Sequence, residues 1–285
     1  MVRDLIALCR PKHWLKNAFV FMPVPFAVAA GAHLDPGVFA LGLFAFCLAA
    51  SAVYAFNDAR DAERDRLHVR KRHRPVAAGR ISQAAAFLLS GVLALVSLAM
   101  AYSAAGDGAA MFIVIYFAIN VVYSIGGRDV PLLDVFLLSA GFVLRVLFGC
   151  ALLAVVASNW LLLCSSALAL FLSLAKRRSD LVKGADATYR PSLSGYTASY
   201  LEQAMSIMAG MCIIAYALYL RDARVFVPGR EFASLPFVVF GVLDYLRVAH
   251  VRDEGDNPVD LLVRAPSMWL AALGWAVATL WGLSF

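Results

Sequence analysis

The stretch "NDARDAERD", residues 57 to 65, holds four acids and two arginines and sets Asp58, Asp61 and Asp65 at spacings of three and four. On a helix that spacing turns three carboxylates to one face. Carboxylates stacked this way repel one another and disfavour the helix unless a positive charge lies between them. A hard divalent cation with oxygen ligands supplies that charge, and Mg2+ in particular keeps waters and recruits substrate phosphates. Asp58, Asp61 and Asp65 are therefore the candidate metal ligands. Asn57 adds an amide oxygen, or an amide donor for a phosphate. Glu63 falls on another face, toward solvent. A charged loop held by local pairs, such as Asp61 with Arg64, is the plainer alternative. Against it, the acids begin directly at the end of an apolar run, where charge is expensive.

The elements that must position these acids are greasy. Hydrophobic residues make up 62% of the 285-residue chain and charged ones 15%, with a mean hydropathy of +0.77. Ordinary soluble domains are nearer half apolar and a quarter charged, so the solvent for most of this surface is lipid. A span needs about 20 mostly apolar residues. Nine candidates follow, at approximately 17–33, 37–56, 82–104, 109–125, 131–156, 159–175, 202–220, 232–250 and 266–285. The fold class expected is all-α: a polytopic membrane protein, nine helices around a central cavity, one integral-membrane domain over residues 1–285. Pro23 and Pro25 predict a broken first span, and Asp244 with Arg247 a shortened eighth. No cleavable signal sequence is expected.

Net charge is +6. Lys and Arg sit in short loops between apolar runs, a pattern of membrane orientation and anionic substrate rather than of a nucleic-acid face, so no nucleic-acid partner is expected. Only Arg221, Arg224 and Arg230 lie in outer connections and only Arg145 inside a span. All other basic residues fall on the side of the N-terminus, which places the N-terminus and the charged loops in the cytoplasm and the C-terminus outside.

The acidic motif and its place after the second span resemble the first aspartate-rich motif of the UbiA-type intramembrane prenyltransferase superfamily, NDxxDxxxD. The likeness covers almost the whole chain. It implies that Asn57, Asp58, Asp61 and Asp65 bind Mg2+ and a diphosphate. The "RPVAAGRIS" that follows also fits the superfamily, and makes Arg74 and Arg80 candidates for phosphate contact, since a guanidinium matches phosphate oxygens in bidentate fashion.

Ordinary members carry a second acidic motif after the sixth span. Here that place holds "LAKRRSDLVKGADATYRPSLSGY", with Lys176, Arg177 and Arg178 before a lone Asp180, then Lys183 and Arg190. One acidic and one basic cluster suit a substrate with more phosphate than the metal neutralises. A positive-inside anchor, with Lys176 paired to Asp180 four residues on, is the plainer reading. The departure resembles the decaprenyl-phosphate phosphoribosyltransferase branch of bacterial arabinan-precursor synthesis, which "RPKHWLKNAFVFMPVPFA" and "YSIGGRDVPLLDVFLLSAGFVLRVLFG" match as well. That likeness implies a bacterial inner-membrane enzyme transferring 5-phosphoribose from phosphoribosyl pyrophosphate to a polyprenyl phosphate, with release of pyrophosphate. Lys176 would act at the reacting phosphates, while Arg177, Asp180 and Arg190 line the substrate. Arg128 stands about where relatives are expected to carry a lysine, which keeps the charge but changes the contact. A conventional prenyltransferase, and a transporter with charge along its path, are the rivals.

Other polar residues have two readings each. Arg145 lies deep in the fifth span, so it lines a wet cavity or pairs, with Asp134 the nearest acid. Lys16 and Asn17, with Arg10 and Lys12 before the first span, grip phosphate or anchor at the interface beside Trp14. Tyr123 and Tyr196 orient phosphate or ribose, or mark the interface. His13, His33, His68, His73 and His250 have no metal-ligand spacing. The five cysteines are scattered and read as small buried hydrophobes. Asp253, Glu254 and Asp256 read as a solvated loop. Self-association of the chain is left open by its sequence.

Overall fold

The structure, a computed structural model, describes residues 2–67, 71–184, 190–251 and 265–284. His68, Arg252, Asp253, Glu254, Asp256 and Arg264 lie outside them. Among the described residues the regular structure is helical, with only an isolated bridge between Phe226 and Leu283. The order is α1 (Val2–Cys9), a 3-10 stretch (Pro11–Phe21), α2 (Val24–Ala29), α3 (Pro36–Arg60), α4 (Ala62–Arg66), α5 (Gln83–Ile125), α6 (Leu133–Leu152), α7 (Asn159–Val182), α8 (Ala198–Asp222), α9 (Leu235–Val251) and α10 (Pro266–Gly282).

Five of these, α3, α5, α6, α7 and α8, are long and apolar enough to cross a membrane. The 43 residues of α5 are about twice one span at 1.5 Å per residue. The helical backbone breaks inside it at Ala105 and Gly106, where Gly106 has φ 67. The two halves correspond to the third and fourth expected spans. The first expected span is broken, as its prolines predict: the 3-10 stretch ends at Phe21 and α2 restarts at Val24. The helices α9 and α10 are 17 residues each, just short of a full span.

Helix starts follow local chemistry. The side chain of Asp35 accepts from the backbone of Gly37 and Val38 ahead of Pro36, and Ser82, Ser158 and Thr197 cap α5, α7 and α8 in the same way. Along α3, Ala45, Ala49, Ala52 and Ser90 of α5 are buried where the two helices pack. Apolar residues spaced by seven, Leu88 and Leu95 on α5 or Ile207 and Ile214 on α8, remain exposed on outward faces, the arrangement suited to lipid.

Two contacts and one helix extension carry the site. A Cβ on Gly149 of α6 would stand 2.1 Å from the carbonyl oxygen of Val20, so only glycine lets the 3-10 stretch lie directly on α6. Leu8, Ala55, Ala59, Ala62, Val76 and Ile81 form a small core that presses α1 and the 74–81 turn against the end of α3. And α7 runs two turns beyond Ala175, so Lys176 to Asp180 are helical.

Candidate functional site: two charged clusters on one rim

The helix does not run unbroken through the acidic motif. It ends at Arg60, and Asp61 caps it at φ −90, ψ 8, before α4 resumes at Ala62. Ala62 is drawn into the small core beside Leu8 and Val76, which turns the chain. The expectation of three carboxylates on one face is corrected accordingly: Asp58 and Asp65 converge on one side, and Asp61 points to another partner.

Arginines neutralise all three. Arg74 donates to Asp58 at 3.1 Å and to Asp65 at 2.6 Å, and Arg10 donates to Asp58 at 2.5 Å. Arg128 grips Asp61 with both terminal nitrogens, at 2.6 and 3.0 Å. Asp58 and Asp65 are 2% and 1% exposed, and such acids require compensating charge. Asp58 Oδ2 nevertheless lacks a hydrogen-bond partner among the described residues. Asn57 accepts from Ser124 at 2.6 Å, and Glu63 is exposed as expected.

Arg10, for which the sequence left phosphate grip and interfacial anchor both open, is a contributor absent from the expected site residues. Its backbone is left-handed at φ 50, a costly conformation for a residue with a Cβ. That turn folds α1 back so that the guanidinium reaches Asp58 and covers the Tyr54 ring at 5.0 Å. The available signal is its position in "RPKHWLKN", just before a proline.

The basic cluster is built around a buried ion pair. Arg177 Nε stands 2.6 Å from Asp134 Oδ2, and both side chains are 0% exposed. The other Arg177 nitrogens donate to Asp180 at 2.8 Å and to the Tyr123 hydroxyl at 3.3 Å. Arg190 bonds the same Asp180 oxygen. Lys176 does not pair with Asp180; among the described residues it forms no hydrogen bond or ion pair, and its charged neighbours are Lys16, Arg177, Asp180 and Arg190. Arg178 turns away, to Glu202 and the Ala249 carbonyl.

The two clusters meet. Consecutive residues at the end of α5 serve one each, Ser124 holding Asn57 and Tyr123 receiving Arg177. Arg128 follows four residues after Ser124 and holds Asp61. Lys71 lies among Arg74, Asp65, Asp61 and Arg190, and burial, then Arg74, pushes its ammonium down to about 8.

Four expected site residues are placed elsewhere. Arg80 bonds Asp4 at 2.7 Å on the exposed side of the 74–81 turn, away from the carboxylates. Arg145 does not pair with Asp134. It donates to Asn17 at 2.8 Å and to the Gly141 carbonyl, among the rings of Phe46, Tyr116 and Phe142. Asn17 is thereby committed too, to Arg145 and to the Cys47 sulfur. The Tyr196 hydroxyl donates to Asp134 at 2.7 Å and accepts from the Leu132 amide; burial pushes its pKa up.

An all-helical bundle with a carboxylate cluster and a cation cluster on one rim defines a class, and comparison with known proteins agrees. The profile of the UbiA prenyltransferase family matches residues 18–257, and the chain belongs to that family. It is a multi-pass membrane protein. It is 32% identical to the decaprenyl-phosphate phosphoribosyltransferase of Corynebacterium glutamicum over 95% of this chain and 84% of that one. It is 31% identical to the protein of that name from Mycobacterium tuberculosis over 96% and 92%. The Mycolicibacterium smegmatis one is 34% identical over 77% and 70%. A solved UbiA homolog from Archaeoglobus fulgidus bound to GPP and Mg2+ shares the fold, with TM-score 0.74, 20% identity and 98% coverage of both chains. The same homolog has also been solved bound to Cd2+, with TM-score 0.71.

Proposed function

We propose that this protein is a membrane pentosyltransferase that moves 5-phosphoribose from phosphoribosyl pyrophosphate to a polyprenyl phosphate and releases pyrophosphate. The single observation carrying the reading is the junction of an acidic and a basic cluster through Tyr123 and Ser124. The names of the relatives point the same way. A divalent cation suits the acidic motif: Asp58 and Asp65 converge as hard oxygen donors, and Asp58 Oδ2 is a buried acceptor without a partner among the described residues. No three acids among the described residues are grouped to hold an ion in advance, so Asp61 would join by exchanging Arg128 for the cation. We take Mg2+ as the ion; when bound it supplies charge neutralisation for the diphosphate leaving group.

The chain's own residues do the rest. Arg74, Arg128 and Arg10, which hold the carboxylates, are the guanidinium donors nearest a diphosphate seated there. Lys176 and Arg190 face the further phosphate. As the bond from C1 to the diphosphate oxygen breaks, the sugar gains oxocarbenium character. A lipid-phosphate oxygen forms the new bond on the opposite face, inverting C1, and the electron pair leaves with pyrophosphate. The attacking phosphate is already ionised, so no side chain must take a proton, and catalysis is positioning and charge stabilisation. The apolar interior receives the isoprenoid tail. We place the rim on the cytoplasmic face from the distribution of Lys and Arg, count nine spans from the apolar runs, and take a bacterial inner membrane from the likeness to the relatives.

Purified protein given phosphoribosyl pyrophosphate, polyprenyl phosphate and Mg2+ is expected to form a lipid-linked phosphoribose. Turnover only with a prenyl diphosphate and an aromatic acceptor would replace this reading with that of a conventional prenyltransferase.

A further inference from the structure

Asp134 sits at the start of α6, in an apolar run, fully enclosed. Its two oxygens serve three side chains. Oδ2 faces Arg177 Nε at 2.6 Å and accepts from Ser192 at 3.0 Å, while Oδ1 accepts from Tyr196 at 2.7 Å. An acid this deep must be matched by charge and hydrogen bonds, and the match here spans α6, α7 and the 190–196 turn. Arg177 in turn has its three nitrogens facing Asp134, Asp180 and Tyr123. Its Nε meets Asp134 as a close charge contact, without a hydrogen bond among the described residues, and at 0% exposed it presents no surface to a ligand. The order acid, base, acid, base runs from Asp134 through Arg177 and Asp180 to Arg190. These four charges cancel. Lys176, one residue before Arg177, forms no ion pair among the described residues, with Lys16 and Arg190 near it.

We propose that Asp134 is a positioning residue: it locks Arg177 into the wall of the site, where Arg177 sets Asp180 and Arg190 and leaves Lys176 to take a phosphate monoester. Arg177 is then itself a positioning residue rather than a substrate contact. The inference rests on the pentosyltransferase reading for its setting, where two monoesters occur, the 5-phosphate of the sugar and the phosphate of the lipid. Both offer the same dianionic group, and the test separates them.

Full-length protein in detergent is titrated with ribose 5-phosphate and, separately, with farnesyl phosphate, for the wild type and for Asp134→Asn, Arg177→Lys and Ser192→Ala. Steady-state rates are measured on the same preparations. Asp134→Asn is expected to weaken one monoester by about tenfold or more and leave the other within about twofold. The matching KM should rise while kcat changes far less. Arg177→Lys should do the same, because an ammonium cannot face three partners in a fixed fork. Ser192→Ala removes a bond to the same carboxylate but not the ion pair, and should bind as the wild type does. Weakened ribose 5-phosphate assigns Lys176 to the sugar; weakened farnesyl phosphate assigns it to the lipid. Wild-type affinity for both monoesters in Asp134→Asn overturns the proposal, and so does an equal loss in Ser192→Ala, which would mark simple packing. Should Asp134→Asn fail to fold, Arg177→Lys decides on the same terms. A wild type that binds neither monoester also overturns it. A wild type that binds one without turning over phosphoribosyl pyrophosphate sinks the functional reading and leaves this one standing.

Discussion

Asp58→Asn is expected to cut turnover by about a thousandfold, at the upper end of what loss of one preorganised electrostatic group costs, while the protein still folds and keeps its elution profile. Asp58 is the carboxylate on which Arg10 and Arg74 converge, and its Oδ2 is the buried acceptor left without a partner among the described residues. An amide preserves size and one carbonyl oxygen, so both arginines retain an acceptor and Arg74 retains Asp65. What is lost is the negative charge that attracts a divalent cation. Initial rates at saturating phosphoribosyl pyrophosphate, across a Mg2+ titration, check this. Rates within tenfold of the wild type at every Mg2+ concentration would remove Asp58 from the metal assignment.

The second large effect is at Lys176. Lys176→Met keeps an unbranched apolar stem and deletes the ammonium. A hydrogen bond to an ionised group contributes about 1.5–3 kcal/mol, which corresponds to a rise in KM of roughly 10- to 150-fold for the monoester substrate that Lys176 holds. The fold should tolerate the change, since Lys176 forms no ion pair among the described residues and its deletion leaves no acid stranded. Steady-state kinetics with each substrate varied in turn read the effect. An unchanged KM for both substrates would place the phosphate elsewhere.

Much of the scaffold was legible in the sequence because lipid imposes a simple rule, long apolar runs for helices. The charged ends of the spans and the separate apolar runs 82–104 and 109–125 follow from it, and the break at Pro23 follows from proline's missing N–H. Ala105 and Gly106, whose backbone is not helical, divide those runs. The chemistry-bearing residue types were legible too, since acids at the end of an apolar span are rarely incidental. Pairing was not. Arg10 with Asp58 and Arg128 with Asp61 join residues 48 and 67 positions apart, and periodicity carries no information at that range. Asp134 looked like a partner for Arg145 on the same helix, whereas three-dimensional packing gave it to Arg177 and left Arg145 to Asn17. Likewise Lys176 and Asp180 share a face, yet two arginines claim the acid. Local spacing overstates local pairing where several helices end on one rim.

The central claim is that both clusters face one bound substrate. An experimental structure of the protein soaked with Mn2+ and phosphoribosyl pyrophosphate, with anomalous difference density recorded for the metal, tests it most directly. The expected result is a metal peak within bonding distance of Asp58, with the diphosphate beside Arg74 and the remaining phosphate toward Lys176 or Arg190. A metal peak remote from Asp58, Asp61 and Asp65, or a substrate that touches only one of the two clusters, would contradict it.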